Sequence, residues 1–268
     1  MSTHHPVAPA TPWIAGRRAA GRPRLRLFCL PPAGGSAASF NVWRPHLPQG
    51  VELAPVELPG RGSRLEEPVP YALEPLVDAL FEAVRGEFDA PYALFGHSFG
   101  AVVAYELTRR IERQGGLRAP AALVVSAHRA PHVPLGRELL TGSSDRRLAA
   151  WLHRYGGLPA ELLEHPGFLS DLLRAVRADL EIAERYLLPG PAPVRCPLVV
   201  LAGADDDVCV PAAVEPWAAY GAAPPRMHVV PGGHSYPRTH PEATLTAVTG
   251  ELRRLGLLGP GAEGDRQG

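Results

Sequence analysis

The sequence predicts an α/β fold, a mostly parallel central sheet with helices on both faces, carrying a helical insertion. Three observations predict it. Strand-like apolar runs alternate with amphipathic helical stretches along most of the chain. The run 121–127 is apolar almost throughout, as a strand buried on both faces is. The pentapeptide Gly96-His97-Ser98-Phe99-Gly100 stands between a short apolar run and a helical repeat. A chain of 268 residues suits one large domain of this kind, with ample length for a buried core.

The elements follow in order, and the folded unit is expected over residues 24–258. A first strand covers 24–30 and runs into the loop Pro31-Pro32-Ala33-Gly34-Gly35-Ser36. A second covers 51–57 and ends in Leu58-Pro59-Gly60-Arg61-Gly62. A helix is predicted over 73–88. The strand 91–95 enters the pentapeptide; Phe99, Val103, Leu107 and Ile111 then recur every fourth residue, one face of a helix that Gly115-Gly116 stops. After strand 121–127 the strand signals vanish between 128 and 195. Helical stretches appear there near 137–153, 159–163 and 168–188, too long for an ordinary crossover. They read as a lid over the carboxyl ends of the strands. Strand 197–202, helix 211–220, strand 226–230 and helix 241–255 complete the fold. Residues 1–23 are rich in Pro, Ala and Arg, 259–268 are polar with several Gly, and both read as flexible ends.

Composition excludes several function classes. Basic and acidic residues balance at 27 each, so nothing in the charge argues for nucleic acid or another polyanion. Every basic residue other than histidine is Arg. No apolar run at the start is long enough for a signal peptide or a membrane span. Cys29, Cys196 and Cys209 are an odd number in apolar surroundings and read as buried thiols of a reducing compartment. A soluble cytoplasmic protein with no membrane partner is expected.

The pentapeptide fits G-x-S-x-G, the nucleophile elbow of the α/β-hydrolases. Its glycines have a physical reason: the turn is strained, and side chains beside Ser98 would block close packing of strand and helix. A serine hydroxyl needs a base, and the base an orienting acid. His234, after the last strand in Pro231-Gly232-Gly233-His234, is the base this order supplies. The acid falls in Gly203-Ala204-Asp205-Asp206-Asp207, after strand 197–202. Counting from Gly203 selects Asp206 and counting back from Val210 selects Asp207; Asp206 is preferred, with Asp205 left to solvent. Two backbone N–H groups must face the developing oxyanion. Phe99 supplies one, and Ala33, the first residue of its loop after two prolines that have no N–H, supplies the other. His97 is read as structural. His128 and His132, with Pro131 between them, do not form a metal site, and no metal or cofactor ligands are expected.

Taken together, Leu27 to Ser36, Val56 to Gly62, Leu94 to Ala101, Arg177-Ala178-Asp179, Gly203 to Asp207, Trp217 and Pro231 to His234 resemble the type II thioesterases that serve polyketide synthases and nonribosomal peptide synthetases. The resemblance spans roughly 24–255. It implies an α/β-hydrolase that removes stalled or wrong acyl groups from the phosphopantetheine arm of an acyl or peptidyl carrier protein. By position it implies Ser98 as nucleophile, Asp206 as acid, His234 as base, and Ala33 and Phe99 as oxyanion donors. The enzyme would need no cofactor of its own, phosphopantetheine belonging to the partner. Pro32 stands where these proteins often have His or another larger residue, and Phe99 where they often have Met. Arg129, Arg137, Arg146, Arg147 and Arg174, in or beside the insertion, are possible contacts for an acidic carrier or its phosphate, set against solvated helix surface. A small-molecule carboxylesterase or lipase shares the chemistry. A cyclising or releasing thioesterase and an inactive hydrolase-fold binding protein are the remaining alternatives, and a freestanding hydrolase is expected.

Overall fold

The computed structural model describes residues 11–16, 23–155, 158, 161 and 165–259. Six strands form one sheet: β1 (Leu25–Leu30), β2 (Val51–Pro55), β3 (Tyr92–His97), β4 (Ala122–Ser126), β5 (Leu198–Gly203) and β6 (Arg226–Val230), in the order β2-β1-β3-β4-β5-β6. Every pairing is parallel. Alternation along β1 feeds two cores, as a period of two requires. Leu25, Leu27 and Cys29 join the apolar layer on one face, while Phe28 and Leu30 join the layer on the other. Helices α1 (Leu73–Val84) and α2 (Phe99–Gln114) cover the second face. Helix α7 (Pro241–Arg254) and a 3-10 helix (Ala37–His46) cover the first. Phe99, Val103, Leu107 and Ile111 of α2 are all buried, as their spacing requires.

Register decides where chemistry can gather. Leu30 pairs with Gly96, His97 with Ser126, and Gly203 with Val230. The carboxyl ends of β1, β3, β4, β5 and β6 therefore finish along one edge, where ligands bind in open parallel sheets. The insertion between β4 and β5 lies over that edge. It contains α3 (Asp145–Arg154) and α4 (Pro166–Arg185), with a small core of Leu140, Leu148, Leu152, Leu173, Val176 and Leu180 packed against Ala33.

The structure differs from the sequence reading at several points. Residues 137–144 form turns rather than the start of a helix, because the carboxylate of Glu184 accepts the backbone N–H groups of Leu140 and Thr141 and holds them out of a helical ladder. The predicted helix 159–163 lies outside the described residues, Glu161 apart. The predicted helix 211–220 divides into α5 (Pro211–Val214) and a 3-10 helix (Glu215–Tyr220), and the 3-10 helix at 37–46 and the short α6 (Tyr236–Thr239) were not predicted. Pro45 and Pro237 obscure both in the sequence. Residues 11–16 do not behave as part of a frayed extension. Ile14 bridges Val56 in antiparallel fashion, Trp13 and Ile14 are buried, and the Arg64 guanidinium lies 4.0 Å over the Trp13 ring.

Candidate active site

Ser98 follows β3 at φ 54°, a left-handed backbone setting that a non-glycine residue adopts only under constraint. The constraint is packing. A Cβ on Gly96 would collide with the Gly100 carbonyl, and one on Gly100 with the carbonyls of Leu30 and Pro31. Strand, elbow and helix thus meet through bare backbone. The Ser98 N–H donates to the Ser126 carbonyl on β4 at 2.8 Å, which fixes the elbow to the neighbouring strand.

The loops after β5 and β6 bring the other two groups to this point. His234 Nε2 stands 3.1 Å from Ser98 Oγ, and His234 Nδ1 stands 2.9 Å from Asp206 Oδ2. The second oxygen of Asp206 accepts the N–H groups of Val208 and Cys209, each at 2.9 Å. Asp206 is 2% exposed, so this carboxylate is desolvated and held by an Asx-type turn. Asp207, the other choice left by the sequence, points outward and pairs with Arg154 at 2.8 Å. Asp205 is exposed.

Ala33 lies across from the elbow. Pro32, Ala33, Gly34 and Gly35 form a turn closed by the Gly35 N–H on the Pro32 carbonyl at 2.9 Å. That bond holds the Pro32–Ala33 peptide by its oxygen, so its N–H faces the opposite way, out of the turn. Among the described residues neither the Ala33 nor the Phe99 N–H has an acceptor in the chain. Two cavities meet at His234. One, of about 290 Å³, is bounded by Ala33, Phe40, His97, Leu152, Leu172 and Val176. The other, of about 350 Å³, reaches Ser98 and is bounded by Trp151, Leu180 and Val208.

His97 is structural in its contacts. Nδ1 stands 2.9 Å from Ser126 Oγ, which in turn hydrogen-bonds the buried Tyr236 hydroxyl, and its ring centre is 5.2 Å from that of His234. Burial pushes His97 well below the ordinary histidine range, and the adjacent His234 adds to this. The ring is neutral at pH 7 and adds no positive charge beside His234. Tyr236 and Ser126 escaped the sequence reading because neither belongs to a motif; only the fold sets them behind His97. His128 and His132 diverge, toward the Arg129 carbonyl and the Tyr220 hydroxyl respectively. No cluster among the described residues is suited to hold a metal ion.

One of the arginines offered for a carrier is corrected by the structure. Arg129 is 8% exposed and donates to the carbonyls of Val133, Ala183, Glu184 and Tyr186. It closes the carboxyl end of α4, where carbonyls lack helical partners. Arg137 is tied at 2.7 Å to the buried Glu184. Arg147 and Arg174 lie at the surface in loose pairs with Glu138 and Asp171, and Arg146 is exposed.

A family model described as thioesterase domain matches residues 25–252. The chain is 35% identical over 225 residues to the thioesterase PikA5 of Streptomyces venezuelae, across 84% of this chain and 79% of that protein. It is 31% identical over 256 residues to a protein of Brevibacillus parabrevis named linear gramicidin dehydrogenase LgrE, across 94% and 96% of the two. Among solved structures it resembles RedJ, a thioesterase from the prodiginine biosynthetic pathway in Streptomyces coelicolor. That match has a TM-score of 0.76 and 34% identity, across 89% of this chain and 92% of RedJ.

Proposed function

This chain belongs to the thioesterase family of α/β-hydrolase fold, and from that premise we propose that it hydrolyses acyl thioesters carried on the phosphopantetheine arm of acyl or peptidyl carrier proteins in polyketide or nonribosomal peptide biosynthesis. The observation that carries the reading is the continuous line Ser98–His234–Asp206 beside two outward-facing N–H groups. Ser98 Oγ attacks the thioester carbonyl as His234 Nε2 takes its proton. The carbonyl oxygen gathers negative charge and is met by the N–H groups of Ala33 and Phe99. Collapse expels the pantetheine thiolate, which receives the proton from His234 and leaves an acyl-Ser98 ester. Water, deprotonated by His234, then attacks that ester and releases the free acid. Asp206 holds Nδ1–H and stabilises the imidazolium throughout. All the groups required are side chains and backbone of this chain, so the reading includes no cofactor.

The two cavities that share His234 provide separate room for the two halves of a thioester, on either side of its carbonyl. The insertion would act as their lid. Three buried free thiols accord with a reducing, cytoplasmic setting, and no helix among the described residues is long and apolar enough to cross a membrane. The name of the LgrE relative speaks of hydride transfer. Here, however, β1 runs into Pro31-Pro32-Ala33-Gly34-Gly35-Ser36 and a 3-10 helix, where a dinucleotide site of the Rossmann type has G-x-G-x-x-G opening an α-helix. The decisive test compares kcat/KM for acyl-carrier thioesters with that for aryl esters of the same acids. Faster carrier turnover supports the proposal. Turnover of the simple esters alone would make the protein a carboxylesterase.

A further inference from the structure

Helix α4 meets Gly34 of the oxyanion loop in two ways. Asp179 Oδ2 accepts the Gly34 N–H at 2.8 Å. Val176, one turn earlier on the same helix, fills the space that a Cβ on Gly34 would need. Gly34 has φ +70°, the left-handed setting of the third residue in a type II turn. In such a turn the peptide between the two central residues has one orientation, and its flip converts the turn to another type. The Gly34 N–H belongs to that central peptide. The preceding peptide, which carries the Ala33 N–H, is held through the Pro32 carbonyl by Gly35. Asp179 therefore supplies the second of two bonds that fix the loop on both sides of Ala33.

Asp179 is itself held. It is 1% exposed, and Arg61, from the Pro59-Gly60-Arg61-Gly62 turn after β2, engages it bidentately. Nη1 bonds Oδ2 and Nη2 bonds Oδ1, the latter at 3.0 Å. Arg61 is 4% exposed. A buried ion pair is a weak source of stability, because desolvation offsets most of the attraction. What this pair does provide is a fixed acceptor at the middle of the oxyanion loop.

We infer that Asp179, oriented by Arg61, is a positioning residue for the oxyanion hole, so that the Ala33 N–H is aligned only while helix α4 is seated on the sheet. The inference rests on the proposed role of Ser98 and extends it, making one helix of the lid part of the catalytic scaffold. Lifting α4 as a rigid piece would remove both the Asp179 bond and the Val176 contact from Gly34.

The test compares wild type with Arg61→Lys, which keeps one contact to the carboxylate, and with the double variant Arg61→Leu/Asp179→Leu, which replaces the ion pair by apolar side chains. Steady-state constants are read on an acyl-carrier thioester and on an aryl ester, with the inhibition constant of a boronic acid that forms a tetrahedral adduct on serine. The double variant is expected to lose roughly 10²-fold in kcat on both substrates, the scale of one oxyanion donor. KM should change less than about threefold, and boronate affinity should fall in step with kcat/KM. Arg61→Lys should show an intermediate loss, and it decides the matter should the double variant not fold. Folded variants that keep kcat and boronate affinity within about threefold of wild type, or that lose only in KM, would overturn the positioning role. Wild-type turnover of the aryl ester without the carrier thioester would count against the proposed substrate and leave the positioning test readable.

Discussion

Ser98 combines a strained backbone, φ 54° and ψ −120°, with the hydroxyl proposed as nucleophile. These two properties separate in variants. Ser98→Ala and Ser98→Gly should both reduce kcat by roughly 10⁴-fold or more. Glycine should nevertheless be the more stable of the two by about 1 kcal/mol, because it relaxes the backbone; urea denaturation of both proteins reads the difference. The neighbouring acids separate equally well. Asp206→Asn should lower kcat by roughly 10³- to 10⁴-fold by removing the acceptor that fixes the His234 tautomer, whereas Asp207→Asn, whose carboxylate lies 52% exposed in a surface pair, should stay within about threefold. Equal losses in both would contradict this assignment. Ser98 and His234 were legible in sequence because each follows a strand within a glycine-bearing turn. Asp206 against Asp207 was a choice between two counts along one loop, and only the Val208 and Cys209 N–H bonds to Asp206 show why the loop turns that residue inward.

Elements were legible where one face carried an apolar period. Strand β1 and helix α2 show it, and their contact through Gly100 is among the tightest in the molecule. Gly100→Ala is expected to destabilise by about 2 kcal/mol or more, since the added methyl meets the Leu30 and Pro31 backbone rather than a movable side chain. Gly86→Ala, where a Cβ meets nothing within 4 Å, is the control and should be neutral or slightly stabilising; thermal melts of both distinguish the two. The insertion was legible only in outline. Its loop at 137–144 is shaped by Glu184, some forty residues away, and its link to the candidate site runs from Asp179 to Gly34 across 145 positions. Hydrophobic periodicity reports a helix's own buried face and says nothing of distant polar partners. Arg26 makes the same point inside a strand: it is 2% exposed and paired with Glu52 and Asp89, charges brought beside it by other segments.

The edge formed by the strands' carboxyl ends concentrates buried histidines as well as the proposed triad, which makes stability depend on pH. Burial holds His97 well below the ordinary range and pushes His128 down to about 3, with Arg129 adding to the latter. Both rings are neutral in the folded protein near pH 6, whereas in the unfolded chain they take up protons below about pH 6.5. Unfolding therefore binds protons as the pH falls, and stability should decline from pH 7 toward pH 5, by up to about 1.4 kcal/mol per pH unit for each ring. Denaturation midpoints across this range read the effect, and His97→Asn should flatten the slope. A slope unchanged in that variant would contradict a neutral buried His97. Whether Ser98 carries the acyl group between carrier and water is read from a single-turnover reaction with an acyl-carrier protein, following free carrier thiol and the intact mass of the enzyme together. Thiol release should be accompanied by an acyl-sized mass increase on Ser98 that then decays to free acid, with both signals absent in Ser98→Ala. Undiminished thiol release in Ser98→Ala would contradict that role.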